Sequence, residues 1–351
     1  MRFTPSLDSA VAGSRLTNLI HPRIDSARLA STLASLQRLT RAFHNACPPP
    51  WPAPGLAITP EITYASELWL PLDIIRPAFC TFYDVSLRFS PLFASTPFAT
   101  AASWATIVSG FPPFLAGVSD PDRLLAALVA DAELRLKFLF WSFLPNRFYG
   151  GPERYPAQRT ALQARLTQLA DRPGTLRCLE AACGTGEGTY GLARLLLDAG
   201  LAPERFAIEG WTVDPLEVWA AAHVTLPHDP SRQVLFRSQS EPVFAAGADR
   251  SLVFRRADLL QMPAAHEASF DLILCNGLLG GPIINKKEDL KRIVSQLAGR
   301  LAPGGLLLTA DSFHGGWKRH CPQHELRAVV EQAGLQSFAA GEGIGGLKFD
   351  Q

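Results

Sequence analysis

The chain has 351 residues, and at ~150 residues per domain this length predicts about two domains. Hydrophobic residues make up 47% and charged residues 19%, which excludes a disordered chain and supplies ample material for a packed core. A formal net charge of +1 excludes a strong global field for nucleic acid, and six cysteines without a Cys-x-x-Cys pair predict reduced thiols of a cytoplasmic protein rather than disulfides or a zinc module.

The N-terminus, Met1-Arg2-Phe3-Thr4-Pro5, lacks the apolar run of a secretory signal. From 14 to 46, Leu16, Leu19, Ile20, Ile24, Leu29, Leu33, Leu36 and Leu39 recur at helical spacing, with Pro22 as an interruption. The Cys47-Pro48-Pro49-Pro50-Trp51-Pro52 run ends that helix, because its prolines remove backbone donors and favour extended geometry. The stretch 89–119 carries no charge, yet Pro91, Pro97, Pro112 and Pro113 and its serines and threonines break the ~20 apolar residues that a membrane span needs. Buried helices, or a lid over an apolar substrate, are the expectation there. Asp120-Pro121-Asp122 reads as a capped helix start, and Leu124, Leu125, Leu128, Leu134, Leu136, Leu139 and Trp141 carry that helix to Pro145. Residues 1–145 are therefore expected to form a mainly helical N-terminal domain.

The second half alternates. Leu176-Arg177-Cys178-Leu179-Glu180-Ala181 reads as a buried strand, followed by a glycine loop and a helix from 187 to 199. Strands over 206–213, 252–256 and 270–275 follow, with a helix over 215–223 after the second strand. Asn285 and Glu288 have the spacing of a capping box for a helix striped by Leu290, Ile293, Val294, Leu297 and Leu301. Pro303-Gly304-Gly305 turns that helix into a Leu306-Leu307-Leu308 strand, and a last helix runs from 322 to 333. Such alternation implies βαβ units in a mostly parallel, doubly wound α/β sheet, whose ligands bind beyond the carboxyl ends of the strands. This second domain is expected over 146–351.

The loop Glu180-Ala181-Ala182-Cys183-Gly184-Thr185-Gly186-Glu187-Gly188 lacks both the dinucleotide glycine spacing and the Gly-Lys of a phosphate loop. Its carboxylates at Glu180 and Glu187 would repel a pyrophosphate and suit a cationic amine. The run from Glu180 to Gly186 resembles motif I of the class I S-adenosylmethionine (SAM) methyltransferases. Val213-Asp214-Pro215, Arg256-Ala257-Asp258-Leu259-Leu260-Gln261-Met262-Pro263, Phe270 to Asn276 and Leu301 to Gly305 follow in that family's order. Cys183 to Glu187, with Tyr190 beyond them, is similar to the chemotaxis-receptor (CheR-type) branch, as is 146–153 to the Phe-Phe-Arg-Asp-Pro-Glu stretch that joins that branch's helical and SAM domains.

The resemblance implies a Rossmann-like sheet, SAM as cofactor and methyl transfer as the activity. It implies that Glu180, Ala182, Cys183, Gly184 and Gly186 meet the methionine part of SAM, with Glu187 near its ammonium. Asp214 would take the ribose hydroxyls, Asp258 and Leu259 would frame the adenine, and Cys275 and Asn276 would line the methyl-transfer crevice. The chain departs from the branch at three places: Gly150 replaces an arginine, Thr212 replaces an acid, and Asn276-Gly277-Leu278-Leu279-Gly280-Gly281-Pro282 lacks a tyrosine.

On the acceptor side, His314 could reach the crevice as a base and Asn276 lies at its rim. His314, His320, Cys321 and His324 cluster but straddle Gly315-Gly316 and Pro322, so no metal site is expected. The load of Trp, Phe and Pro in the N-terminal region favours a small apolar or aromatic acceptor, with that region as a lid or as the interface of a homodimer. A CheR-like protein-glutamate O-methyltransferase and a non-catalytic SAM-binding pseudoenzyme are the alternatives. A nucleic-acid partner is not expected, nor is a membrane span.

Overall fold

The computed structural model describes residues 1–46, 51–144, 154–170, 174–262, 270–280, 284–310 and 321–349. It divides into two units, one made of Met1–Ala12, Tyr149–Thr225 and Ser231–Gln351, the other of Gly13–Phe148 and Leu226–Pro230. The expected division at 145/146 thus differs at the start of the chain: Met1–Ala12 groups with the sheet unit, because strand β1 (Arg2–Phe3) pairs antiparallel with a sheet strand at Arg255 and Phe254.

After α1 (Ser9–Leu16), the helical unit comprises α2 (Ala27–Ala46), α3 (Pro60–Trp69), α4 (Leu72–Ser86), α5 (Pro97–Thr100), α6 (Trp104–Ser109), α7 (Pro121–Ala130) and α8 (Ala132–Phe143). Its core is aromatic. Phe79, Phe82, Tyr83, Phe98, Trp104 and Phe138 are fully buried, with the Phe79 and Phe98 centroids 4.3 Å apart. Each such ring removes roughly 150–250 Å² from water, so this cluster is the main source of cohesion in the unit. The polar ends are satisfied inside the unit: the Trp104 indole N–H donates to the Ser119 carbonyl at 2.7 Å and the Tyr83 hydroxyl to Ser142 Oγ at 2.9 Å. The charge-free stretch 89–119 folds as short helices with inward-facing side chains, and among the described residues no helix is long and apolar enough to cross a membrane.

Asp120 takes the expected N-cap position of α7 but makes no cap bond. Its buried carboxylate lies 3.1 Å from His44 Nε2 and 3.1 Å from Arg123 Nε instead. The single helix expected up to 145 is two, because Asp131 accepts from the N–H groups of Glu133 and Leu134 and so starts α8.

The second unit contains α9 (Pro156–Ala170), β2 (Leu176–Glu180), α10 (Glu187–Asp198), β3 (Phe206–Thr212), α11 (Pro215–His223), α12 (Pro230–Ala245), β4 (Leu252–Arg256), β5 (Phe270–Asn276), α13 (Lys287–Arg300), β6 (Leu301–Ala310), α14 (Gln323–Gln332), β7 (Gln336–Ala340) and β8 (Gly343–Leu347). The strands form one eight-stranded sheet in the order β1-β4-β3-β2-β5-β6-β8-β7. Strands β4, β3, β2, β5 and β6 run parallel, and the outer pairings β1–β4, β6–β8 and β8–β7 are antiparallel. This is the expected doubly wound, Rossmann-like α/β sheet. From β2 the chain moves outward to β3 and β4 on one side, then returns to place β5 on the other. The order therefore reverses between β2 and β5, which puts a ligand crevice at their carboxyl ends.

Two local expectations change. α13 starts at Lys287 with Lys286 as its N-cap and no side-chain cap bond, so Asn285 and Glu288 sit one position out of phase for a capping box. The Pro303-Gly304-Gly305 turn does not precede β6 but lies within it: pairing with β5 jumps from Phe270↔Leu301 to Leu272↔Leu306, and the intervening residues bulge around Gly304 at φ +64°.

Candidate cofactor site

The loop between β2 and α10 is stitched to both neighbouring strands. The Ala181 N–H donates to the Leu274 carbonyl of β5 at 2.7 Å, and the Cys183 N–H to the Trp211 carbonyl of β3 at 2.9 Å. Gly186 closes the turn at φ +92°, and a Cβ there would stand 2.7 Å from Ala221 Cβ and 3.1 Å from the Phe254 ring. Gly184, at φ +52°, is different. A Cβ on it would meet only the Glu217 carboxylate, at 3.9 Å, so this glycine borders open space faced by an acid.

Four carboxylates surround the loop. Glu180, buried at the end of β2, accepts from the Thr189 hydroxyl of α10. Burial pushes its pKa up to about 7 against that hydrogen bond, with the Glu187 charge adding to the rise. Glu187, in the first turn of α10, accepts from Thr185 Oγ1 at 2.6 Å. Its other oxygen takes the Arg232 guanidinium of α12, through Nε at 2.7 Å and Nη2 at 2.6 Å, and the same guanidinium donates to Thr185 Oγ1. Asp214 caps α11 by accepting from the Leu216 N–H at 2.7 Å. Glu217, one turn into α11, accepts from the Thr212 hydroxyl. Burial raises the pKa of Asp214, and burial followed by the charge of Asp214 raises that of Glu217.

Across the switch point, Asn276 ends β5 and shares two hydrogen bonds with Gln158 of α9. The backbone N–H groups of Ala157 and Gln158 are capped in turn by Glu342, at 2.9 Å and 2.7 Å. This bolts the start of α9 over the exit of β5. A Cβ on Gly277 would lie 3.2 Å from Arg154 Nη1 and 3.3 Å from the Tyr155 hydroxyl oxygen.

Residues 146–313 match the family model of the CheR methyltransferase SAM-binding domain. Over those residues the chain is similar to that SAM-binding domain. Over 203 residues the chain is 29% identical to the probable biofilm formation methyltransferase WspC of Pseudomonas putida, covering 55% of this chain and 47% of that protein. It is 28% identical over 178 residues to a chemotaxis protein methyltransferase of Listeria monocytogenes, covering 48% of this chain and 64% of that protein. The chain thus spans about half the length of the first of these relatives. Among solved structures it is similar to a TehB-like SAM-dependent methyltransferase from Corynebacterium glutamicum, with 15% identity, a TM-score of 0.35, and coverage of 55% of this chain and 88% of that one.

The residues at the loop fit SAM: bare backbone at Gly184 borders open space, and carboxylates rather than bases line it, as a sulfonium and an ammonium require. The sequence-predicted residues divide by position. Glu180, Ala182, Gly184, Gly186, Glu187 and Asp214 all lie at the carboxyl ends of β2 and β3. The Cys183 thiol is turned inward, 3.5 Å from the Gly184 carbonyl, and burial raises its pKa. Asp258 accepts from the Leu260 N–H at 2.9 Å and caps its own turn. Leu259 and Cys275 belong to the hydrophobic core with Trp211, Ile273 and Leu307, and burial pushes the Cys275 thiol up to about 12. Gly150 and His314 lie outside the described residues, as does His320 of the histidine cluster. Among the described residues no group of three or more His, Cys, Asp or Glu could hold a metal ion.

Glu217, Arg232 and Gln158 were not singled out in the sequence. Glu217 carries a readable signal, being one turn past Asp214 in a helix whose first turn must face the loop. Arg232 and Gln158 carry none, since each meets its partner across 45 and 118 residues.

Proposed function

We propose that this chain is a SAM-dependent methyltransferase whose acceptor is an anionic oxygen, a carboxylate of a protein side chain being the best fit. The observation that carries the reading is the placement of the Arg154 guanidinium and the Tyr155 hydroxyl against Gly277, just beyond Asn276 at the exit of β5. A guanidinium and a phenol are donors suited to a carboxylate. When bound, SAM supplies an electrophilic methyl group on a sulfonium. The protein's part is then to hold the acceptor in line with that methyl, and such positioning can lower the barrier by several kcal/mol.

An acceptor that is already anionic has no proton to lose, so it needs no general base. The groups nearest that exit agree with this. Asn276 is an amide already paired with Gln158, and the Cys275 thiol is buried with its pKa pushed up to about 12. The name of one relative, a chemotaxis protein methyltransferase, also favours a protein acceptor. The small apolar acceptor loses its motive, because the aromatic side chains that suggested it, from Phe79 to Phe138, make up the helical unit's own core.

Incubation with methyl-labelled SAM, a lysate and a glutamate-bearing helical peptide tests the reading. Base-labile label on protein or peptide is the expected result. Label in a small extractable compound would overturn the acceptor class, and no label anywhere despite measurable SAM binding would leave the non-catalytic SAM-binding reading.

A further inference from the structure

On the β3 side of the loop this chain has Thr212 where the CheR-type branch carries an acid, which leaves Asp214 as the carboxylate expected at the ribose hydroxyls. The structure gives Asp214 another task and brings a different acid to the opening. Asp214 is buried and caps α11, its carboxylate accepting from the backbone N–H groups of Leu216, at 2.7 Å, and Glu217. Those bonds fix the first turn of α11, and with it the place of the Glu217 side chain.

Glu180, Glu187 and Asp214 are all buried, whereas Glu217 is only half-buried. Its Oε2 accepts from the Thr212 hydroxyl, while its Oε1 accepts no hydrogen bond among the described residues. That second oxygen is the atom nearest the open side of Gly184, 3.9 Å from where a Cβ would stand.

We propose that Glu217 is the ligand of the cofactor's ribose hydroxyls, delivered from α11 to the spot beside Thr212 that lacks a carboxylate of its own. This role rests on the loop being the SAM site. Each hydroxyl of the diol donates one hydrogen bond, and an ionised carboxylate only accepts, so the two match. Because Thr212 Oγ1 touches Glu217 Oε2, a carboxylate carried by either position reaches nearly the same place. Glu180 and Glu187 belong to β2 and α10, on the other side of the loop, and stay available to the ammonium. Asp214 is then a positioning residue that acts through the turn it caps.

Titration calorimetry at pH 8 tests this on the full chain with S-adenosylhomocysteine and with its dideoxy counterpart, which lacks both ribose hydroxyls. A site built to hydrogen-bond a hydroxyl rejects the analogue without it, so the unmodified chain should prefer the parent ligand by about thirtyfold or more. Glu217→Gln should weaken the parent by about tenfold or more and the dideoxy ligand by no more than about threefold, so that the preference collapses. Asp214→Asn keeps the cap, because asparagine caps a helix as well as aspartate does, and should weaken both ligands alike. Thr212→Asp/Glu217→Ala moves the carboxylate back across the contact and should regain a preference of about tenfold.

If Asp214→Asn abolishes the preference while Glu217→Gln keeps it, Asp214 is the ribose ligand and the proposal is wrong. Equal losses on the two ligands with Glu217→Gln overturn it as well, since a packing or general charge effect does not read the hydroxyls. So does an unmodified chain that binds both ligands equally. If Glu217→Gln does not fold, Glu217→Asp carries the test: its carboxylate is withdrawn by one methylene, the preference should fall, and an unchanged preference counts against the proposal. An unmodified chain that binds neither ligand would instead overturn the reading of the loop as a SAM site.

Discussion

The side-chain amides of Gln158 and Asn276 exchange two hydrogen bonds, 3.0 Å from Gln158 Nε2 to Asn276 Oδ1 and 2.7 Å from Asn276 Nδ2 to Gln158 Oε1. The contact joins α9 to the end of β5 at the point where a ligand crevice is expected. Gln158 is buried, so Gln158→Leu leaves the Asn276 amide without either bond and should cost about 1 kcal/mol. That is a fall of about 2–4 °C in Tm for a unit of this size. Gln158→Leu/Asn276→Leu should recover part of the loss, since replacing both partners removes the unsatisfied group. Thermal melts of the two variants decide the point, and a double variant no better than the single one would remove the pair as a stabilising contact.

The two glycines of the loop should separate folding from binding. Gly186→Ala places a methyl 2.7 Å from Ala221 Cβ at φ +92°, so overpacking and backbone strain combine and about 2 kcal/mol or more of stability should go. Gly184→Ala carries about 1–2 kcal/mol of left-handed strain but meets nothing closer than Glu217 at 3.9 Å. It should fold, with SAM affinity down at least tenfold because the methyl projects into the space that the ligand occupies. A folded Gly184→Ala that binds SAM normally would displace the ligand from this loop.

These contrasts mark what the sequence could and could not disclose. The strand β2, its glycine turn and α10 were legible because the turn needs positive φ at Gly184 and Gly186 whatever packs around it. The hairpin β7–β8 was not. No apolar alternation marks Gly343, Gly345 and Gly346 as a strand, and the reason two of them are glycines is tertiary: Phe338 of β7 covers Gly345, and Val330 of α14 with Leu335 covers Gly346. Helix α12, which carries Arg232, was hidden by its own pattern: in the run Val234-Leu235-Phe236 the first two side chains are exposed and only the third is buried. The place of Cys275 at the end of a strand predicts a crevice-lining side chain, whereas the alternation of β5 puts it in the core with Ile273.

The Thr212 hydroxyl helps keep Glu217 ionisable, since its hydrogen bond, together with the Arg232 charge, favours the carboxylate against burial and the charge of Asp214. Thr212→Val should raise the pKa of Glu217 further and move the pH dependence of SAM binding to higher pH, with affinity at pH 8 changed less than at pH 6.5. Calorimetry at those two values checks it. Equal losses at both would mean that the hydroxyl acts through packing alone.

The buried acids also link cofactor binding to stability. Glu180, Asp214 and Glu217 all have native pKa values above their ordinary range, that of Glu180 about 7. In the window between the ordinary carboxylate range and about 7, the native state therefore holds more protons than the unfolded chain. Stability from these groups is present below the ordinary carboxylate range and falls as pH rises through that window. A cationic ligand reverses the sign of the effect, because it favours the ionised carboxylates and makes proton release part of binding. The free protein is expected to melt lower at pH 8 than at pH 5.5, while the rise in Tm given by saturating SAM is larger at pH 8. Buffers of different ionisation enthalpy would show the released protons directly in the calorimetric heat. A SAM-induced shift that shrinks with rising pH would mean that these carboxylates stay protonated in the complex, and that their negative charge is not what holds the ligand.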